Sequence, residues 1–145
     1  MPHLEINQNQ HFYRESDVVN LDEGLIGLPN LRRASILRLP DFEPFMWLAS
    51  IENANTRFLV VEPAQIFADY QPQFTADVLS RLDLAGDENP LILTIVKISS
   101  DWLKTTVNLK APILINSKIG RGTQAVLTGT DFRLDQTLPE SFLTA

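Results

Sequence analysis

The chain has 145 residues, of which 44% are hydrophobic and 21% are charged, and its formal net charge is −6 at pH 7. This length fits a single domain over residues 1–145, and the excess of acids argues against direct nucleic-acid binding, which depends on clustered Lys and Arg. The chain has no cysteine, which excludes disulfides, and its apolar runs are shorter than the about 20 residues of a membrane span, so we expect a cytoplasmic protein without a membrane segment.

The apolar residues alternate with polar ones or form short β-branched blocks between turn residues, a pattern typical of a mainly β fold. In chain order, this pattern predicts strands at Leu4–Asn7, His11–Arg14, Asp17–Leu21, Ala34–Leu39, Phe45–Ile51, Phe58–Glu62, Leu91–Ser99, Thr105–Leu109, Ile113–Asn116 and Gln124–Leu127. Few helices are expected.

The clearest helix signal lies between the sixth and seventh predicted strands. The Thr75 hydroxyl can accept a hydrogen bond from the free amides of a first turn, and the segment Ala76–Leu82 carries an apolar stripe at helical spacing. Asp77 lies in the first turn, where the helix dipole favours an acid, and Gly86 marks the exit. The sequence therefore predicts one short helix.

Glycines, prolines and one tryptophan are predicted to have structural roles. Gly24 and Gly27 bracket a tight loop, Pro63 follows the sixth predicted strand, and Pro112 stands at the start of the ninth. Trp47 lies within an apolar run, so we predict that it is a core residue.

The sequence carries no recognisable catalytic or metal-binding motif. His3 and His11 are the only histidines, and neither has a second ligand at metal-binding spacing, so no metal is expected. Neither a phosphate loop nor a nucleophile motif is present, so we expect neither a cofactor nor an enzyme. The favoured hypothesis is a protein that binds other proteins. The alternatives are a small β-barrel binding domain for another protein or small ligand and, less favoured, an unmarked hydrolase.

Charge is unevenly distributed along the chain. The stretch from Asp41 to Asn89 holds nine acids and two bases, whereas the stretch from Lys97 to Arg133 holds six bases and two acids. Two readings remain open: separate acidic and basic faces that meet different partners, or ordinary solvated surface that the fold interleaves.

Two short segments contain candidate partner-binding residues. In the segment Val107–Leu109, strand alternation turns Asn108 and the following Lys110 away from their apolar neighbours, so the pair either contacts a partner or Asn108 ties down a neighbouring loop. Asp69 and Tyr70 follow a turn, and an exposed tyrosine beside an acid is typical of interfaces, although the hydroxyl can instead be satisfied within the fold.

Six sequence blocks, taken together, resemble one known family. In order they are Leu21-Asp-Glu-Gly-Leu-Ile-Gly-Leu, Phe45-Met-Trp-Leu-Ala-Ser, Phe58-Leu-Val-Val-Glu-Pro63, Asp69-Tyr70, Val107-Asn-Leu-Lys-Ala-Pro-Ile113 and Gln124-Ala-Val-Leu. The order and spacing of these blocks resemble the flagellar assembly factor FliW. The resemblance covers about Asp17 to Phe132, and the segment beyond Phe132 departs from the family pattern.

The resemblance implies a small antiparallel β-barrel-like protein without enzymatic activity, acting in the cytoplasm of flagellated bacteria. Such proteins bind newly made flagellin and also bind CsrA, the RNA-binding repressor of flagellin translation, and the two partners compete. Since an RNA-binding protein needs a basic surface, we expect acidic residues such as Glu62 and Asp69 to steer CsrA. We also expect a free monomer, and we predict that the tail from about residue 134 is disordered.

Overall fold

The computed structural model describes residues 2–6, 9–85 and 87–143. Over these ranges the elements are, in chain order, β1 (His3–Ile6), β2 (Asn9–Phe12), β3 (Val18–Leu21), β4 (Arg33–Arg38), β5 (Met46–Ser50), β6 (Arg57–Val61), α1 (Ala76–Arg81), β7 (Leu91–Lys97), β8 (Thr106–Val107), β9 (Ile113–Asn116), β10 (Arg121–Gln124), β11 (Gln136–Thr137) and α2 (Glu140–Leu143). The mainly β fold predicted from the sequence is confirmed.

Seven strands close into a barrel. They are hydrogen-bonded in the order β7-β6-β5-β4-β3-β10-β9, and β9 pairs back onto β7 through Leu93↔Ile113. All of these pairings are antiparallel except that between β3 and β10, which is parallel. The expected antiparallel barrel is therefore wrong for this one strand pair, because β10, which follows β9 in a hairpin, runs in the same direction as β3. Closure leaves these seven strands few open edges.

Alternation along the strands fills the barrel interior with apolar side chains. Leu48, Val60, Leu93 and Ile113, from four different strands, are fully buried in this core. Residues of the loop after β3 join the same cluster, so this loop plugs one end of the barrel. Gly24 lies in that loop at φ +67, where a Cβ atom would stand 2.4 Å from the Leu28 carbonyl oxygen, so glycine is required there.

Three elements cover the outside of the barrel. The β1–β2 hairpin packs Leu4 and Ile6 against Leu37. The helix α1 approaches β9, and Leu82, which directly follows it, packs on Leu114. A third and larger apolar cluster, described below, lies under the C-terminal segment. The barrel is therefore buried on both faces over much of its wall, which explains the continuous apolar runs in β6 and β9.

The predicted helix forms where the sequence places its start. The Thr75 side chain accepts a hydrogen bond from the Val78 amide at 3.3 Å, and α1 ends at Arg81. Asp83, at φ 56, turns the chain after the helix. Gly86, which we predicted at the helix exit, lies outside the described residues.

The tenth predicted strand is misplaced. We predicted Gln124–Leu127, but the observed strand β10 is Arg121–Gln124. The strand begins directly after a turn that ends at Gly120. Glycine is needed at position 122 within the strand, because a Cβ atom there would come within 2.8 Å of a Val19 methyl group. A glycine is a turn signal in a sequence pattern, and here it marks close packing between strands.

The C-terminal segment also differs from the prediction of a disordered tail. Gln136 and Thr137 form β11, which pairs with β8, and Glu140–Leu143 forms a second short helix, α2. Leu138 is buried, and the Phe142 ring meets the Phe45 ring edge-on with centroids 6.0 Å apart. The apolar face that this segment covers supplies the energy that orders it.

Candidate partner-binding surfaces

Acidic residues collect at one end of the barrel. Because β4, β5 and β6 are antiparallel neighbours, the β4–β5 connection and the end of β6 lie at the same end. Asp41 and Glu43 are exposed in that connection, and the half-buried Glu62 follows β6. We call Asp41, Glu43 and Glu62 the acidic end. Arg38 also lies here, at the end of β4, so the charge of this end is mixed but contains more acids than bases among these four residues.

An open groove of about 690 Å³ runs beside the acidic end. Glu62 and Arg38 line it from the barrel, and His11 and Phe12 line it from strand β2. The strand β2 pairs only with β1 in the described part of the chain. The groove therefore combines charged side chains with the backbone of a strand that has one unpaired edge.

A basic groove lies at the opposite end of the barrel wall. Strand β7 runs antiparallel to β6, so the end of β7 lies beside the start of β6. Lys97, at the end of β7, is therefore far from Glu62, which follows the end of β6. Lys97 and Lys104 line a groove of about 640 Å³ together with Ile98 and Leu134. We call this the basic groove. The acidic end and the basic groove thus separate part of the charge that the sequence segregates.

Elsewhere the fold interleaves the two charged stretches. The Lys118 ammonium lies 3.0 Å from a Glu88 carboxylate oxygen, which joins an acid of the first stretch to a base of the second. A hydrogen bond from the Ala85 amide and then the Lys118 ammonium hold the pKa of Glu88 below its ordinary value. Both readings of the charge pattern therefore apply, each to a different part of the surface.

Tyr70 connects the two segments that hold four of the five candidate residues. Its hydroxyl donates a hydrogen bond of 2.8 Å to the Leu109 carbonyl, which brings the Asp69–Tyr70 turn beside Asn108 and Lys110. The ring is buried and packs on Phe132 with centroids 4.8 Å apart, and desolvation raises the pKa of the phenol. Tyr70 is therefore not the exposed partner-binding residue that we predicted, because the fold satisfies its hydroxyl internally. Asp69 is exposed beside it.

Asn108 stabilises a neighbouring loop, which is the second of the two roles that the sequence leaves open. Its side-chain oxygen accepts hydrogen bonds from the backbone amides of Lys110, at 3.1 Å, and Ala111, at 3.0 Å. The side chain therefore ties down the turn between β8 and β9. The Lys110 side chain is half-buried and forms no ion pair among the described residues.

The prolines and glycines predicted to have structural roles lie in turns or next to strands. Pro63 is buried and opens a short 3₁₀ turn over residues 63–65, and the carbonyl of Pro112, just before β9, accepts a hydrogen bond from the Ala125 amide. Gly27, like Gly24, has a positive φ, of +83. Trp47 is half-buried and packs against two of the buried apolar clusters, and the Arg57 guanidinium lies over its ring, 4.9 Å from the centroid.

Exposed apolar residues near the basic groove were missed in the sequence. Ile98, Leu103 and Leu134 are 49%, 63% and 59% exposed. The sequence predicts a strand that contains Ile98, another that begins shortly after Leu103, and a disordered tail that contains Leu134. The pairing of β11 with β8 and the hydrogen bond from the Leu109 amide to the Arg133 carbonyl hold Leu134 at the groove, so no local pattern could have grouped these residues.

The described part of the chain holds no group of three or more His, Asp or Glu side chains placed to bind a metal ion. None of the helices in these ranges combines the length and the apolar character of a membrane-crossing helix.

The geometry places the chain among small closed β-barrel proteins with surfaces built from strand ends and loops. A family model described as "FliW protein" matches residues 7–138. The flagellar assembly factor FliW of Clostridium botulinum (strain Alaska E43 / Type E3) is 34% identical over 128 residues, covering 88% of this chain and 91% of that protein. The chain therefore belongs to the FliW family.

Other relatives agree with this assignment. The flagellar assembly factor FliW of Natranaerobius thermophilus is 34% identical over 119 residues, covering 81% of this chain and 79% of that protein. That of Thermosipho africanus is 29% identical over 138 residues, covering 94% and 90%. A solved structure, described as the crystal structure of the flagellar assembly factor FliW, matches with a TM-score of 0.85 and 26% identity, covering 95% of this chain and 98% of that one.

Proposed function

We propose that this member of the FliW family acts in the bacterial cytoplasm as a monomeric switch between two protein partners, flagellin and CsrA. It binds newly made flagellin as a chaperone does, and when flagellin is scarce it binds CsrA and removes it from the flagellin message. It has no enzymatic activity of its own. The observation that carries the proposal is family membership, since the relatives are described as flagellar assembly factors.

The acidic end supports the CsrA half of the proposal. An RNA-binding protein carries a basic surface, and an acidic surface attracts it over distances longer than those of direct contact. Asp41 and Glu43 of the acidic end, and Asp69 beside Asn108, are exposed and form no ion pair among the described residues, so their charge is available to a partner. Glu62 lines the adjoining groove, where a docked partner would contact it.

Charge reversal at the predicted contact tests this proposal. The double variant Glu62→Lys with Asp69→Lys should weaken CsrA binding by about tenfold, since each lost attraction at a surface is worth up to about 1 kcal/mol and repulsion adds to it. Flagellin binding should stay within about twofold, because we expect that contact to be mainly apolar. Isothermal titration calorimetry with each purified partner measures both.

A matched control carries the same change in charge elsewhere. Asp22 and Glu52 are exposed and follow β3 and β5, at the barrel end opposite to Glu62. Asp22→Lys with Glu52→Lys should leave CsrA binding nearly unchanged. Failure of the unmodified protein to bind either CsrA or flagellin would refute the proposed function, whereas equal losses in the two double variants would refute the placement of the contact at Glu62 and Asp69.

A further inference from the structure

The floor of the basic groove is one face of the sheet formed by the barrel strand β7 and its neighbour β8. One edge of strand β7 has two partners. Its first half, Leu91–Leu93, pairs with the barrel strand β9, and its second half pairs with β8 at Val96 and Lys97. In this register Lys97 lies opposite Thr106. The Asn108 amide also donates to the Ile95 carbonyl. Because side chains two apart share a face, Ile95, Lys97, Thr106 and Asn108 all line the groove.

Apolar side chains stand at the rims of this floor. Ile98 and Leu134 line the groove. Both are among the exposed large hydrophobic residues of the described chain. Exposed apolar side chains grouped around one concavity are typical of a surface that another molecule covers, whereas isolated ones need no explanation.

The charge of the groove is positive and uncompensated. Neither Lys97 nor Lys104 forms an ion pair with any residue that the structure describes. The groove contains one acid, Asp135, and its carboxylate lies 3.1 Å from the Arg133 guanidinium, which already neutralises it. An occupant that complements this surface must bring carboxylates beside an apolar stripe.

We propose that the basic groove is a docking site for an acidic amphipathic helix of a partner protein. The groove offers a sheet face and not a strand edge, so a helix suits it better than an added strand. Two lysines flanked by large aliphatic side chains also suit an amphipathic helix better than RNA, whose binding needs more cations and gains from exposed aromatic rings. This inference concerns a surface separate from the acidic end and does not depend on the identity of the proposed partners.

The experiment uses the whole protein and a fluorescent model peptide of about 16 residues, long enough to form a helix on binding. The peptide carries leucines at helical spacing on one face and glutamates on both flanks of that face. Fluorescence anisotropy should show saturable binding of this peptide and at least about tenfold weaker binding of the same peptide with lysine in place of each glutamate. The variant Lys97→Glu with Lys104→Glu should lose about tenfold for the acidic peptide and reverse this preference.

Two further variants separate a local effect from general ones. Lys97→Gln with Lys104→Gln removes the charge without reversing it and should give an intermediate loss. Arg32→Glu with Arg121→Glu makes the same change in net charge at two exposed residues outside the groove, and it should not weaken binding. Thermal unfolding of each variant confirms that the fold is retained, and the glutamine variant keeps the test decisive if the reversal unfolds.

Three results would overturn the proposal. One is an absence of saturable binding of the acidic peptide. Another is an equal loss in the groove variant and the arginine control, which would indicate attraction to net charge alone. The third is displacement of the peptide by a short single-stranded RNA that itself binds more tightly, which would make the groove a nucleic-acid site.

Discussion

The Tyr70 hydroxyl links two loops that are far apart in sequence. Replacing Tyr70 by Phe removes the donor and leaves the Leu109 carbonyl without this partner in a buried place. We expect Tyr70→Phe to lower the free energy of unfolding by about 1–2 kcal/mol. Urea denaturation followed by tryptophan fluorescence measures the change. Tyr13→Phe is the matched control, since the Tyr13 ring is also buried but its hydroxyl has no hydrogen-bond partner among the described residues. Equal losses in the two variants would contradict the role given to this bond.

Glu88 gives stability that depends on pH. Because its pKa is lowered in the folded protein, the unfolded chain takes up a proton at a higher pH than the folded one. The stabilisation is therefore present above the ordinary carboxyl pKa of 4.5 and disappears as pH falls through the lowered value. We expect Glu88→Gln to be less stable than the parent near neutral pH, with the difference vanishing in acid. A difference that stays constant in thermal unfolding measured from neutral to acidic pH would show that this ionisation plays no part.

The candidate residues show how far single positions can be judged from the sequence. The alternation around Asn108 correctly offered a loop-binding role as one of two readings, and the hydrogen bonds to Lys110 and Ala111 decide between them. For Tyr70 the sequence also leaves two readings open, an exposed interface residue or a hydroxyl satisfied within the fold, and the hydrogen bond in the structure decides for the second. The partner of the hydroxyl, the Leu109 carbonyl, is 39 residues away, and an acceptor on the backbone leaves no signature in the sequence.

Leu138 is the one buried residue in the described part of the chain after residue 134. Leu138 is 5% exposed in the cluster that covers the outer face of the barrel, whereas Leu134, four residues earlier, is 59% exposed. We expect Leu138→Ala to lower the free energy of unfolding by about 2–5 kcal/mol, through lost burial and the cavity left behind. Leu134→Ala should change it by less than about 0.5 kcal/mol. Chemical denaturation of both variants checks this pair, and comparable effects would mean that the segment is not docked as described.

Most of the strands were predictable because a barrel wall buries apolar side chains at a period of two or in short continuous blocks. The order of the C-terminal segment was not predictable, for a physical reason. Strand β11 has two residues and α2 has four, which is too short for either to be stable alone or to carry a periodic signal. Their order comes from contacts with Phe45 and its neighbours, which are distant in the chain.

In the whole molecule an acidic end and a basic groove lie at opposite ends of the barrel wall. The ionic strength of the solution should therefore change the association rates of the two proposed partners to different extents. If Glu62 and Asp69 steer a basic CsrA, the association rate should fall as salt rises, since screening limits surface charge to about 8 Å at physiological ionic strength. Flagellin association should depend less on salt, because burial of apolar area responds only weakly to moderate salt. Stopped-flow or surface-based kinetics over a range of salt concentrations gives both slopes.

The double variant at Glu62 and Asp69 makes this comparison specific to these two acids. In that variant the salt slope for CsrA association should flatten, while the slope for flagellin should match that of the parent. The Asp22 and Glu52 control should retain both parental slopes, because it changes net charge by the same amount at the other end of the barrel. If the two partners instead show equal salt slopes in the parent and equal changes in the variant, one shared surface carries both interactions, and competition follows from direct overlap and not from separate faces.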